Sequence, residues 1–227
     1  MIINTFICIR NNEQDIYSTL KCFEDCESNG VEFIYHVFEN DSSDNTISIM
    51  KEFLSTRNGK IRSIVLNTTE WSHIVSSTRV ANMALYRNEC KKMCTTWDEC
   101  EFSMVVDTNI QFTFEDVSIL INSIKNDSSI TASFPFSVVE NVGSYYDTYA
   151  LRSASNKKYI PFSSGSYIYV KSAFGGLCIV PNKVYQQCYY GVPDDDSDNE
   201  HVFISEQLRT HGHLVICKSV RCKWKKD

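Results

Sequence analysis

An α/β fold built on a central, mainly parallel sheet flanked by helices is what this sequence predicts, and three observations predict it. Up to residue 127, apolar β-favouring runs alternate with segments of helical periodicity, joined by short polar links. Such alternation is the pattern of parallel strands connected by helical crossovers. Beyond residue 130 it loosens into short strands such as "ITASFPF" and "GSYIYV" among aromatic and Gly-containing turns, with no linker or repeat to divide the 227 residues. A single domain follows, 1–227, with an alternating half (1–110) and a mixed half (111–227).

The elements take their places in order. "IINTFICIR" (2–10) reads as a buried strand that ends in the polar turn "NNEQD". Residues 14–28 fit a helix with Ile16, Leu20 and Phe23 on one face. "VEFIYHVF" (31–38) is a second strand, "NTISIMKEFLSTR" (45–57) a helix that stops at Asn58-Gly59, and "IRSIVLN" (61–67) a third strand. A long helix over 74–94 precedes the strand "EFSMVVD" (101–107). The helix over 113–127 has Thr113 as a possible N-cap and Asp116 at the third position after it. In a parallel sheet ligands bind past the carboxyl ends of the strands. Those ends fall at Arg10–Glu13, Glu39–Asp44 and Asp107–Asn109.

The composition narrows the function. Hydrophobic residues make up 43% and charged residues 22%, an ordinary globular balance, and the net charge is −6. No basic stripe with interleaved aromatics is present, so no nucleic-acid partner is expected. No apolar run approaches the ~18 residues of a membrane span, and no charged n-region or apolar segment precedes the first strand, so no signal peptide is expected. The ten cysteines include Cys22/Cys26 and Cys90/Cys94 at helical spacing but no C-x-x-C, which fits reduced thiols packed as small hydrophobes better than zinc. Of three Asn-x-Ser/Thr sequons, at Asn40, Asn67 and Asn126, the first lies at a candidate site that a glycan would block. That favours a compartment without N-glycosylation, the cytoplasm.

Two motifs could carry chemistry. In "ENDSSDNT" (39–46), carboxylates just past a strand can hydrogen-bond a ribose or a base edge while Asp and Ser cap the next helix; a plain Asx-rich turn is the other reading. No G-x-G-x-x-G and no G-x-x-x-x-G-K-[ST] occurs, so a pyrophosphate needs another partner, most simply a metal. "MVVDTNI" (104–110) offers one. Strand alternation would put Asp107 and Asn109 on one side of the backbone, where two oxygen ligands suit Mg2+ or Mn2+ bridging phosphates. An Asp at a strand end is also common without a metal.

Together these segments resemble the GT-A-type nucleotide-sugar glycosyltransferases. "ENDSSDNT" is similar to that family's D-D-G-S-x-D-x-T stretch, and its Glu-Asn start is closest to the fungal capsule-associated mannosyltransferase group and relatives in large DNA viruses. "FICIRNNE" (6–13) resembles the first strand and nucleotide-facing loop, and "STRVANMALYRN" (77–88) the helix that carries an Arg toward the diphosphate and then an Arg-Asn pair. "DTN" falls at the D-x-D position. "EHVFISEQLRTHGH" (200–213) is similar to a late motif in which Glu200, Arg209 and Gly212 keep their spacing. "YYDTYALR" (145–152) and "SAFGGLCIV" (172–180) resemble acceptor-side segments.

The resemblance implies a GT-A, Rossmann-like sandwich with a smaller mixed acceptor-side sheet. It implies transfer of a sugar from a nucleoside-diphosphate sugar, UDP favoured over GDP, to a glycan or glycoprotein acceptor with Mn2+ or Mg2+. Arg10, Glu13, Glu39, Asp41, Asp44, Arg79, Asp107 and Thr108 would hold the donor, and Asp107 and Asn109 the metal. Asp147, Arg152, Gly175 and Gly176 would face the acceptor, although Asp147 and Arg152 could pair with each other and the glycines could form a tight turn. Arg79, nearer the helix start, is preferred to Arg87 for the diphosphate, a surface salt bridge being the other reading. Two departures stand out. Asn109 replaces the second D-x-D carboxylate, and His201 replaces the Asp that is commonly the base of inverting members. Either Glu200 or His201 could take the acceptor proton, or neither if configuration is retained. The rivals are a sugar-phosphate nucleotidyltransferase, which normally has a Gly-rich loop that "RNNEQ" lacks, and a sugar-nucleotide-binding module with weakened catalysis.

Overall fold

The computed structural model describes residues 1–67, 76–139, 145–160, 164–195 and 198–224. Its first half follows the expected alternation: β1 (Ile2–Ile9), α1 (Ile16–Ser28), β2 (Glu32–Asn40), α2 (Thr46–Leu54), β3 (Gly59–Ile64), α3 (Ser77–Lys92) and β4 (Phe102–Val106). These strands pair in parallel in the order β3-β2-β1-β4. The order reverses between β1 and β4, and a ligand crevice is expected outside the carboxyl ends of strands at such a point. Beyond β5 (Ile110–Gln111), α4 (Phe114–Asn126) leads to β6 (Ile130–Pro135), β7 (Val138–Val139), β8 (Arg152–Ser153), β9 (Tyr167–Ser172) and β10 (Leu177–Pro181). The chain continues through α5 (Asn182–Gln187), α6 (Glu200–Leu208), β11 (His213–Cys217) and β12 (Lys223–Trp224).

The result is one large mixed sheet, β3-β2-β1-β4-β10-β6-β11-β9-β8, and a small one, β5-β12-β7. Past β4 the parallel pattern gives way, because β10 enters antiparallel between β4 and β6; only β6 and β11 pair in parallel there. The small mixed sheet covers the chain just after β4 and carries Trp224 to the site.

Alternation along the central strands explains the layering. On β1, Ile3, Ile7 and Ile9 face a core shared with Leu20 and Phe23 of α1, Met50 of α2 and Leu120 of α4. Phe6 and Cys8 face the opposite core, with Ala84 and Cys90 of α3, Tyr185 of α5 and Ile204 of α6. The N-terminus of α4 is closed as the sequence predicts: the Thr113 hydroxyl accepts from the Asp116 N–H at 3.2 Å, and the Asp116 carboxylate accepts from the Thr113 N–H at 2.9 Å. Helix α2 stops early, at Leu54, and Gly59 opens β3 instead. A Cβ there would lie 2.7 Å from that of Tyr35, so β3 packs closely only with glycine. All ten cysteines are free.

Beneath α3, His36 is 2% exposed, stacks on Phe6 and donates through Nε2 to Asn4 Oδ1 at 3.1 Å. Burial, with Lys60 nearby, pushes its pKa down to about 4. The ring is therefore neutral in the fold but takes a proton near pH ~6.5 when unfolded. Between those values the unfolded state binds more protons, so stability falls as pH falls, by about 3 kcal/mol across the window. The His36→Phe variant is expected to flatten that decline in urea melts between pH 6.5 and 4. A slope equal to wild type would contradict it.

Candidate active site

The two loops that leave β1 and β2 are laced together by short polar side chains, which accounts for the density of Asn, Asp and Ser after β2. Asn11 Oδ1 accepts from the Ser43 N–H at 2.8 Å, and Ser42 Oγ accepts from the Asn11 N–H at 3.0 Å. Thr46 Oγ1 accepts from the Asn12 N–H at 2.7 Å, and Asp44 accepts from the Glu13 N–H at 3.1 Å and the Thr46 N–H at 3.0 Å. Glu13 accepts from the Asn45 backbone at 3.0 Å and its side-chain amide at 2.8 Å, and these bonds hold its pKa below the usual carboxylate value. Asp41, in the left-handed region at φ 52°, accepts from the Leu66 and Asn67 N–H groups at 2.6 and 3.0 Å.

Glu39 is wholly buried; the Ser42 N–H, at 2.8 Å, and the Ser63 hydroxyl occupy its two oxygens. Of the carboxylates predicted to face a nucleoside, all four are thus engaged in shaping the turns, and Glu39 presents no exposed oxygen to a ribose. Arg10, half-buried, leaves the end of β1. Asn40 is 3% exposed, so a glycan has no room there.

A separate cavity of about 340 Å3 opens beyond the end of β4. One stripe of α3 forms its floor: Arg79, Val80, Met83 and Arg87, preceded by the N-cap Ser76, recur at the three- and four-residue intervals of a single helix face. Ser76 Oγ accepts from the Arg79 N–H at 3.2 Å and fixes where the helix begins. Asp107 contributes from the strand end, Glu200 and His201 from the first turn of α6, and Tyr146, Asp147, Tyr149, Phe174 and Trp224 from elsewhere in the second half of the chain. Tyr146 and Trp224 stack with ring centroids 4.2 Å apart.

Arg87 lies at the centre. Its guanidinium is buried, with Nε 3.2 Å from Glu200 Oε1 and Nη2 3.5 Å from Asp107 Oδ1, and it lies over the rings of Phe174 and Tyr190. Burial works against its charge, but the two carboxylates keep it protonated. The neighbouring Asn88 exchanges two hydrogen bonds with the Tyr190 backbone, at 2.8 and 2.9 Å, and holds this part of α3 against the α6 side. Asp107 keeps 24% of its side-chain surface accessible. Burial raises its pKa to about 6, with Arg87 opposing and Asp147 and Glu200 adding.

His201 is 5% exposed, stacked on Phe174 at 3.8 Å, with Nε2 3.4 Å from Glu200 Oε1. Burial, and then the Arg87 charge, push its pKa well below the usual 6.5, so it is neutral at physiological pH. Neutral imidazole can donate that Nε2 proton to Glu200. Arg87 and His201 therefore both approach Oε1, and Asn199 caps the turn that carries them by accepting from the His201 and Val202 N–H groups.

The other predicted residues fall around this centre. Asp147 lines the cavity, and its oxygens accept from the Ala150 and Gly175 N–H groups at 3.0 and 3.1 Å. The alternative that Asp147 pairs with Arg152 is corrected: Arg152 is buried, ion-paired to Asp198, and donates to the Tyr149 and Leu151 carbonyls. Gly175 and Gly176 form a buried turn with φ +65° and +81°, where a Cβ would strike Ser137 or Ile110. That turn accepts the Asp107 N–H on the Gly176 carbonyl at 2.9 Å and donates the Gly175 N–H to Asp147, which sets the two carboxylates relative to each other.

Thr108 is buried, and its carbonyl accepts from Thr19 Oγ1 at 2.8 Å. The alternation that would put Asn109 beside Asp107 is also corrected. The strand ends at Val106 and residues 108 and 109 form a turn, so Asp107 lines the cavity and Asn109 does not. The expected preference for Arg79 over Arg87 underrates Arg87, since both line the cavity and Arg87 makes the ion pairs. A signal for it was present: an Arg at helical spacing from Val80 and Met83, flanked by Tyr86 and Cys90 on the buried side.

The donor set fits a divalent cation only in part. Among the described residues no group of three His, Cys, Asp or Glu side chains could hold a metal. Asp107 nevertheless sits at the cavity wall with part of its side chain accessible, and burial first, then Asp147 and Glu200, work against its charge despite Arg87, so an added cation there would be favourable. Mg2+ and similar ions are commonly held by one or two carboxylates with substrate phosphates and water completing the shell, and Asp107 suits that arrangement.

No protein-family model and no curated protein sequence matches the chain. Solved structures do resemble it. S. aureus TarS 1-349 matches with a TM-score of 0.66 and 14% identity over 99% of this chain and 60% of that one. The same protein in complex with UDP-GlcNAc matches at 0.64 and 14% identity, over 100% of this chain and 59% of that one. The mannosyltransferase PcManGT from Pyrobaculum calidifontis, in complex with GDP-Man and Mn2+, matches at 0.60 and 13%, covering 97% and 56%. The chain thus spans about three fifths of the length of these structures. What they share with it is the fold, the GT-A α/β arrangement of a large mixed sheet flanked by helices. Among the described residues no helix is long and apolar enough to cross a membrane.

Proposed function

We propose that this chain is a metal-dependent glycosyltransferase that moves a sugar from a nucleoside-diphosphate sugar, UDP favoured over GDP, to a glycan or glycoprotein acceptor in the cytoplasm. Residues 1–110 are its donor half and 111–227 its acceptor half. The Glu-Asn start of its second-strand motif groups it with the fungal capsule-associated and large-DNA-virus enzymes. The observation that carries the reading is the Asp107–Arg87–Glu200 cluster, which opens onto a cavity at the reversal point of the sheet. The UDP-GlcNAc bound by TarS and the GDP-Man and Mn2+ bound by PcManGT support a nucleotide-sugar donor.

In this reading Arg79, half-buried on the cavity floor, contacts the diphosphate, and Asp107 would hold Mn2+ or Mg2+. Such a cation, when bound, supplies charge stabilisation to the departing diphosphate. Tyr146 and Trp224 offer aromatic surface against which a sugar ring can pack. Glu200 is the group that takes the proton from the acceptor hydroxyl, its Oε1 held by Arg87 and His201 so that Oε2 is left for substrate. Glu13, Asp41, Asp44 and Glu39 act by shaping the nucleoside-facing loops.

Incubation with a panel of UDP- and GDP-sugars and Mn2+ tests the class. Slow hydrolysis of one donor is expected. Saturable binding with no turnover would instead mark a sugar-nucleotide-binding module, the second reading, which the Asn109 and His201 substitutions favour.

A further inference from the structure

We infer that a second hollow, beside the main cavity, binds an anionic group, a phosphate or a carboxylate, carried by the acceptor. It encloses about 260 Å3. Three chain segments line both spaces: Tyr149 faces the main cavity and Arg152 the second, Phe174 the first and Ser172 the second, Glu200 and His201 the first and Val202 the second. The two hollows are thus neighbours on either side of the same segments, and an extended acceptor held in the first can place a charged substituent in the second.

Charge identifies the ligand class. The protein carries a net −6, yet this hollow gathers Arg152, Lys158, Lys171 and Arg209 against Asp195, Asp198 and Glu206. Arg152 and Asp198 neutralise each other in the wall. Lys171, half-buried on β9, and Arg209, at the end of α6, have no ion-pair partner among the described residues. A cation at a helix C-terminus is favourable in itself, which accounts for Arg209 but not for Lys171. Val202, Glu206 and Arg209 lie on one stripe of α6, so the helix that presents Glu200 to the main cavity presents Arg209 to the second. The spacing that ties Arg209 to Glu200 in the sequence then has a physical meaning: one helix would place the proton acceptor and an anion anchor at a fixed separation. Lys and Arg together make short charge-assisted bonds to phosphate or carboxylate oxygens, whereas a neutral polyol gains little from unpaired cations.

The acceptor assignment rests on the glycosyltransferase reading; the anion site does not. An NMR titration of the full chain at low ionic strength contains no donor and no transfer, so it stands whatever the donor panel returns. The probes are inorganic phosphate, glucose 6-phosphate, glucuronic acid and glucose. Saturable shifts are expected at the Ser172, Val202 and Arg209 amides with phosphate and with at least one acidic sugar, and none with glucose. The tighter acidic sugar names the substituent. The Lys171→Gln/Arg209→Gln double variant, with the rest of its spectrum unchanged, should bind phosphate about tenfold more weakly or worse. The proposal is overturned by non-saturable shifts, by equal affinity in the double variant, by glucose binding as well as the acids, or by shifts confined to Val80 and Met83 in the main cavity.

Discussion

Arg87→Met is expected to lower folding stability by about 3–5 kcal/mol, because it strands two carboxylates that lose their buried partner. For a domain of this size that is a fall in melting temperature of roughly 6–20 °C. The same change should weaken metal-supported donor binding at neutral pH. Asp107 already has its pKa raised to about 6 with Arg87 opposing the rise, so without Arg87 the carboxyl moves further up and loses charge. Arg87→Lys should fall between, since a compact ammonium cannot bridge both acids or lie over Phe174 and Tyr190 as a planar guanidinium does. Adding Glu200→Gln to Arg87→Met relieves one stranded charge and should recover part of the stability without recovering activity. That contrast separates the structural role of the cluster from its chemical one. A melting temperature for Arg87→Met within a degree or two of wild type would show that the cluster is not held together as described.

Glu200→Gln is expected to lower kcat for transfer by roughly 10²–10⁴-fold, the loss typical of a general base, with a smaller effect on donor KM. The isosteric amide keeps a hydrogen-bond acceptor for Arg87, so the fold should survive. His201→Asn should cost much less. Its imidazole is held neutral by burial and by Arg87, so its ionisation lies well below the usual 6.5 and should leave no inflection near that value in the pH–rate profile. A rate that rises through pH ~6.5 and loses that rise in His201→Asn would transfer the role to His201. Near-normal kcat in both variants, with retained anomeric configuration by NMR, would move Glu200 to acceptor binding.

Much of the fold was legible because local signals and burial agree. The β1 run alternates two sets of side chains, Ile3, Ile7 and Ile9 against Phe6 and Cys8, and each set found its own core. The Thr113–Asp116 capping pair was readable from two residues alone. The region past residue 130 was harder, since its order depends on β10 inserting between β4 and β6 from far along the chain, a pairing that no local pattern encodes.

At the site, strand ends located Asp107, but alternation was carried past Val106 into a turn and so misplaced Asn109. The polar run after β2 was correctly marked as special, yet spacing could not say whether its carboxylates point at a ligand or at neighbouring backbone N–H groups. The hydrogen bonds of Asp44 and Glu39 show that they point at the backbone. Arg87 was undervalued because its worth lies in partners 20 and 113 positions away, Asp107 and Glu200, which only the folded chain brings together.

Calorimetric titration of UDP and of a UDP-sugar into the wild type and Asp107→Ala, with and without Mn2+, tests most directly whether this cavity is a metal-assisted nucleotide-sugar site. Binding to the wild type should tighten when Mn2+ is present. In Asp107→Ala that Mn2+ dependence should vanish while the melting temperature stays near that of wild type, since the ionised carboxyl is disfavoured mainly by burial and Arg87 keeps its pair with Glu200. Equal Mn2+-dependent affinity in the two proteins, or no binding of either ligand by the wild type, would contradict the account.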